Sequence, residues 1–252
     1  MFTKESNLRP IRNRLFIMNN MIREEIAHIK GYPEKLIIFL HGYIDSATSL
    51  ERKIQPLLDG LDNCAIHLPQ APIICEIHEN KRQWYSMHQF DPEDDRRRVE
   101  SFAECETIYN KMSPGLNHAA NYLNFYIDQC LSEYGLEDKD LVLCGFSQGA
   151  MMALHLALTR KKMGACISFS GILAGRGYLE KHHVSTPDTL LIHGNADNLV
   201  RFEALDFTRK QLEKMGANVE DKIIENGLHQ ITPEGLLAAA EFINRKLLHK
   251  NS

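Results

Sequence analysis

From Leu141 to Ala157 the chain reads Leu-Val-Leu-Cys-Gly-Phe-Ser-Gln-Gly-Ala-Met-Met-Ala-Leu-His-Leu-Ala, and few folds can accommodate such a segment. Four apolar residues, too few for a helix, lead directly into Gly145-Phe146-Ser147-Gln148-Gly149, and a run of good helix formers follows. The pattern predicts a buried strand that turns sharply and leaves as a helix, with Ser147 at the apex. Glycines bracket a serine in this way where neighbouring backbone must pass close by. A hydroxyl held there stands above the C-terminal edge of a sheet, beside the N–H groups that open the helix. The bare G-x-S-x-G pattern is weak, and its weight here comes from the strand before it and the helix after it.

The rest of the chain repeats the strand-then-helix scheme. Short apolar runs at Leu36–Leu40, Cys64–Leu68, Ala165–Phe169, Thr189–Ile192 and Val219–Ile224 read as strands. Most are continuously Ile/Leu/Val/Phe-rich, as in parallel sheets covered on both faces. Between them, Leu116 to Tyr134 carries one apolar stripe at helical spacing and stops at Gly135, where a C-cap glycine belongs. Phe202 to Met215 ends likewise at Gly216. A last helix starts at Thr232 as N-cap, with Pro233 in its first turn, and runs to about Leu248. The expected fold is α/β, a mostly parallel central sheet with helices on both faces, in one domain spanning residues 31–252. Residues 1–30 are polar and weakly patterned and read as an N-terminal extension, partly disordered.

A nucleophilic serine needs a base and a carboxylate, and on such a sheet they follow it in the order Ser, Asp/Glu, His. His229 lies in Asn226-Gly227-Leu228-His229, a loop leaving the C-terminal end of the last strand, where open α/β sheets bind ligands. Asp197 follows the strand Thr189–Ile192 and reaches the same edge. Asp188 precedes that strand and belongs to the opposite edge. The turn His41-Gly42-Tyr43 ends the strand Leu36–Leu40, where the N–H of Tyr43 can join that of Gln148 as an oxyanion donor.

With those segments in place the chain resembles the phospholipase/carboxylesterase family of α/β-hydrolases, which includes acyl-protein thioesterases. The resemblance covers roughly Leu36 to Leu247 and rests above all on Gly145-Phe146-Ser147-Gln148-Gly149. Phe39-Leu40-His41-Gly42, Pro69-Gln70-Ala71-Pro72, Trp84-Tyr85, Ser168-Phe169-Ser170-Gly171, His193-Gly194 with Asp197-Asn198-Leu199-Val200, and Gly227-Leu228-His229 accompany it. It implies an α/β-hydrolase fold and a triad of Ser147, Asp197 and His229, with oxyanion donors at Tyr43 and Gln148. It also implies a small-molecule acyl ester or thioester as substrate and no cofactor. Three positions depart from the family: Ile44 replaces a glycine, Ser86 an aspartate after the Trp-aromatic pair, and Ala150 a second glycine. A peptidase or lactone hydrolase on the same fold remains an alternative, as does a non-catalytic binder, which a chromogenic ester assay separates from an enzyme.

Charge and cysteine usage narrow the setting. A formal net charge of −4 gives no basic surplus for nucleic acid. The run Arg96-Arg97-Arg98, preceded by Glu93-Asp94-Asp95, reads as a solvated helix start. Cys64, Cys75, Cys105, Cys130, Cys144 and Cys166 show neither disulfide nor zinc spacing, and no H-E-x-x-H is present, so no metal is expected. No apolar run approaches a membrane span, and a cytoplasmic setting is expected. Finally, about thirty residues separate Leu68 from a helix expected near Val99. Connections that long are functional more often than not, and Trp84, Tyr85, Met87 and Phe90 make this one apolar. It is expected to cover Ser147, with Trp84 lining an acyl channel.

Overall fold

In the computed structural model, residues 26–246 are described in full, and 9–12, 16–18, 21–23, 25 and 247–248 by their backbone alone. Eight strands form the central sheet: β1 (Arg9–Arg12), β2 (Glu25–Lys30), β3 (Lys35–Leu40), β4 (Cys64–Pro69), β5 (Leu141–Phe146), β6 (Ala165–Phe169), β7 (Asp188–Gly194) and β8 (Val219–Ile224). Their order is β1-β2-β4-β3-β5-β6-β7-β8. β1 and β2 pair antiparallel, as do β2 and β4, and every other pairing is parallel. This is the mostly parallel sheet expected of an α/β-hydrolase.

The domain boundary moves toward the N-terminus. Residues 25–30, read as part of an extension, form β2, which pairs with β4 from Glu25↔Pro69 to Lys30↔Cys64. Ile26, Ala27 and His28 are buried there. The disorder expected at residues 1–8 and at the gaps up to residue 24 falls outside the described residues.

Alternation along each strand sends successive side chains to opposite faces, so the sheet divides two cores. Leu36, Ile38, Leu40, Leu141 and Leu143 face a layer containing α4 (Ser113–Tyr134), α5 (Gln148–Thr159) and α7 (Glu203–Lys214). Ile37, Phe39, Val142 and Cys144 face a layer of α1 (Ala47–Glu51), α2 (Gln55–Gly60) and α8 (Pro233–Ile243). Helix α5 is buried from Gln148 through Leu158, which explains why it is apolar nearly all round. Gly135 caps α4 at φ 66°, and the Thr232 hydroxyl accepts the Gly235 N–H at 3.1 Å to start α8. Helix α8 ends at Ile243 and continues as a π-helical turn over Asn244–Leu248.

The connection after β4 is structured. It forms a hairpin of Ile73–Cys75 with His78–Gln83, then a short 3-10 turn at Asp95–Arg97, before α3 (Phe102–Asn110). Ser101 and Glu104 form a capping box at the start of that helix. The arginine run therefore lies in the loop and not on a solvated helix, and Arg96 is buried at 4% exposure.

Candidate functional site

β5 ends at Phe146, and Ser147 takes φ 54° and ψ −116° before α5 begins at Gln148. A non-glycine residue at positive φ stores strain of about 1–3 kcal/mol and persists only where its surroundings enforce it. The two glycines of the motif show what enforces it. A Cβ on Gly145 would lie 2.2 Å from the Gly149 carbonyl oxygen, and one on Gly149 would lie 2.2 Å from that of Leu40. The turn is thus pressed against itself and against the end of β3. The Ser147 N–H donates to Phe169 O at 2.9 Å, tying the apex to β6.

β7 delivers the carboxylate. Leu199 and Val200 N–H groups donate to Asp197 Oδ1 at 2.9 and 3.0 Å, and His229 Nδ1 donates to Oδ2 at 2.7 Å. His193 Nε2 donates to Val200 O at 2.8 Å and lies 3.4 Å from the same Oδ2. Burial would push the Asp197 carboxyl up. The hydrogen bonds from His193, His229 and Leu199 outweigh it and hold the group well below the usual carboxylate range. An ionised Asp197 fixes the proton of His229 on Nδ1 and leaves Nε2 as the basic nitrogen.

Close approach of two loops makes this pairing possible. A Cβ on Gly194 would lie 2.2 Å from Gly227 O, while Ala196 N–H donates to Gly227 O and Asn195 N–H to Ile224 O. Asp188 begins β7 and belongs to the opposite edge.

Ser147, His229, Tyr43 and Gln148 line one cavity of about 170 Å³. The turn bearing Tyr43 is held by His41. That ring is fully buried, with Nδ1 against Gly42 O at 2.8 Å and Nε2 accepting the Ala71 N–H at 3.1 Å. Burial pushes its pKa down to about 4 and keeps it neutral. Beside it Ile44 adopts φ 56°. The loop therefore follows a path that favours glycine, with a β-branched residue strained in its place.

Trp84 takes a different role from the one its sequence position suggested. It is fully buried and absent from the cavity wall, because its indole N–H donates to His41 O at 2.8 Å. The Gln148 amide accepts the Trp84 N–H at 2.9 Å and donates to Tyr85 O at 2.8 Å. The residue after the serine thus clamps the long loop through its side chain. Ser86 Oγ accepts the Gln89 N–H at 2.9 Å and caps the next turn.

The loop instead offers Met87, Arg96 and Arg97 to the cavity, joined by Tyr109 from α3 and Met151 from α5. None of these was assigned to the site from sequence. The arginine run was visible, but its residues looked solvated. All six cysteines are buried free thiols, and no helix among the described residues is long and apolar enough to cross a membrane.

Residues 21–247 match the family model described as Phospholipase/Carboxylesterase. Acyl-protein thioesterase 1 homolog 1 of Dictyostelium discoideum is 27% identical over 93% of this chain and 98% of its own. Acyl-protein thioesterase 1 of Saccharomyces cerevisiae is 27% identical over 84% and 92%. Among solved structures, the crystal structure of esterase PE8 superposes with a TM-score of 0.76 at 28% identity, covering 87% of this chain and 95% of that one. With the match extending from β2's approach to the last helix, the chain belongs to the phospholipase/carboxylesterase family of α/β-hydrolases.

Proposed function

We propose that this protein hydrolyses carboxylic esters or thioesters through an acyl-serine intermediate, with Ser147, His229 and Asp197 as the triad. The 2.7 Å hydrogen bond between His229 and the buried Asp197, on the cavity that also holds the strained Ser147, carries this reading. His229 Nε2 takes the serine proton as Oγ attacks the carbonyl carbon. The tetrahedral oxyanion is held by the N–H groups of Tyr43 and Gln148. When the C–O or C–S bond breaks, His229 returns the proton to the leaving group. Water then enters, gives a proton to His229 as its oxygen attacks the acyl carbon, and the acid departs as His229 returns that proton to Ser147 Oγ. These steps use only groups of this chain. Six free thiols without a disulfide favour a reducing, cytoplasmic setting.

Steady-state hydrolysis of a short-chain chromogenic ester tests the reading. Ser147→Ala is expected to lower kcat by several orders of magnitude with unchanged Tm, the residue being only the rate that binding and oxyanion contacts support. Near-normal turnover by that variant would remove Ser147 from the mechanism.

A further inference from the structure

We propose that the cavity beside Ser147 contains an anion-binding subsite made by Arg97, Arg96 and Tyr109, so that preferred substrates are esters or thioesters bearing a carboxylate or phosphate. This rests on the hydrolase reading and specifies its substrate class.

Three features carry it. The cationic side chains on the cavity wall are Arg96 and Arg97, and no carboxylate lines it. The Tyr109 hydroxyl belongs to a residue only 2% exposed that lines the cavity, yet no hydrogen bond to it occurs among the described residues. That oxygen is open to the cavity rather than sealed in the core, so it is free to donate to a ligand oxygen. The third feature is how Arg96 is held. Asp91, itself buried, binds both the backbone N–H and Nη1 of Arg96, and Asp94 Oδ1 lies 2.7 Å from the same Nη1. Nε and Nη2 engage no acceptor among the described residues, which leaves donors for a ligand.

The exposure of the Arg97 contact favours an anion over a neutral group. Asp91 and Asp94 both contact Arg96, and Asp94 is shared with Arg97. Arg97 is 38% exposed in its side chain, and its partner Asp94 is 49% exposed and 3.3 Å away. Such a solvated pair is weak, and an anion inside the cavity replaces it with a better-shielded, charge-assisted contact. Met87, Met151, Phe146 and Val200 supply apolar wall for the stem between the ester and its charge.

Two matched substrate pairs test the subsite and distinguish where the anion sits. On the acyl side, 4-nitrophenyl hydrogen adipate is compared with 4-nitrophenyl hexanoate. On the alcohol side, monobutyryl glycerol 3-phosphate is compared with monobutyryl glycerol. The expected result is a kcat/KM ratio favouring the anionic member of at least one pair by about tenfold or more. That ratio should fall toward one in Arg97→Gln and drop in about 0.5 M NaCl, which screens partly exposed charge. Tyr109→Phe should lower the same ratio without involving charge. Ratios at or below one in both pairs, or a high ratio indifferent to both substitutions, would overturn the subsite. Fluorophosphonate labelling of the same preparations separates the two levels: a labelled Ser147 with no anionic preference leaves the hydrolase reading standing, and an unlabelled one removes both.

Discussion

Both oxygens of the Asp197 carboxylate are occupied, Oδ1 by two backbone N–H groups and Oδ2 by His229, with His193 close by. A carboxylate held in this way is an acceptor only, and its charge is what stabilises an imidazolium on His229. Asp197→Asn is therefore expected to lower kcat by orders of magnitude, since an amide can force the wrong tautomer on the base. Asp188→Asn should leave kcat nearly unchanged, because seven strand residues place it roughly 20 Å away along β7. Measured kcat values for the two variants check the assignment, and the reverse pattern would refute it. His193 tests the same point from the other side. Its Nε2 lies against Val200 O and Asp197 Oδ2, so His193→Phe should lower kcat more than KM. A purely structural role would lower Tm and leave kcat of the folded protein unchanged. The positions of Ser147, Asp197 and His229 on one sheet edge were legible in the sequence because strand ends order such residues. The directions of the Arg96 and Tyr109 side chains were not, since which way a loop or helix side chain faces depends on packing that no periodicity encodes.

At the level of elements, strands were legible almost to the residue. Ala165–Phe169 coincides with the fully buried β6 and Val219–Ile224 with the half-exposed edge strand β8, and Leu141–Cys144 falls two residues short of β5. β2 was missed because Glu-Ile-Ala-His-Ile-Lys mixes polar and apolar residues without a strict period, and because antiparallel pairing to β4 is a long-range fact. The connection from β4 to α3 was legible as more than a solvated link by its length and aromatic content, but not in its geometry. Trp84 fills the space beneath the turn at His41 and anchors the loop to Gln148. Trp84→Ala should thus cost about 3–5 kcal/mol of stability, as for other buried tryptophans. It should depress kcat/KM by similar factors on acetyl and octanoyl esters. A loss confined to long acyl chains would return Trp84 to the cavity wall. The loops after β7 and β8 give a second expectation. Gly194→Ala places a Cβ against Gly227 O, and it should cut kcat sharply by shifting His229 while far-UV circular dichroism stays unchanged.

Across the whole molecule, two buried histidines link stability to pH. Burial lowers His41 and His155 to about 4, whereas an unfolded histidine titrates near 6.5. Between those values the unfolded chain binds more protons than the folded one. Stability is therefore fully present above pH 6.5 and falls as pH drops toward 4, by on the order of 3 kcal/mol for each ring. Asp197, held low, adds its own loss only at more acidic pH, below the unfolded carboxylate range. Urea unfolding at pH 7, 5.5 and 4.5 should show this slope, and His155→Leu should flatten it, since that ring's Nδ1 has no hydrogen-bond partner among the described residues. A slope unchanged by the substitution would count against the burial argument. The C-terminal edge of the sheet brings Ser147 and His229 onto one cavity, with Asp197 buried behind His229. Intact-protein mass spectrometry after treatment with a fluorophosphonate probe tests that claim most directly. One phosphonyl adduct is expected on the native protein, mapped by peptide fragmentation to Ser147, absent after urea unfolding and absent in Ser147→Ala. An unlabelled native protein, or equal labelling of Ser147→Ala, would contradict it.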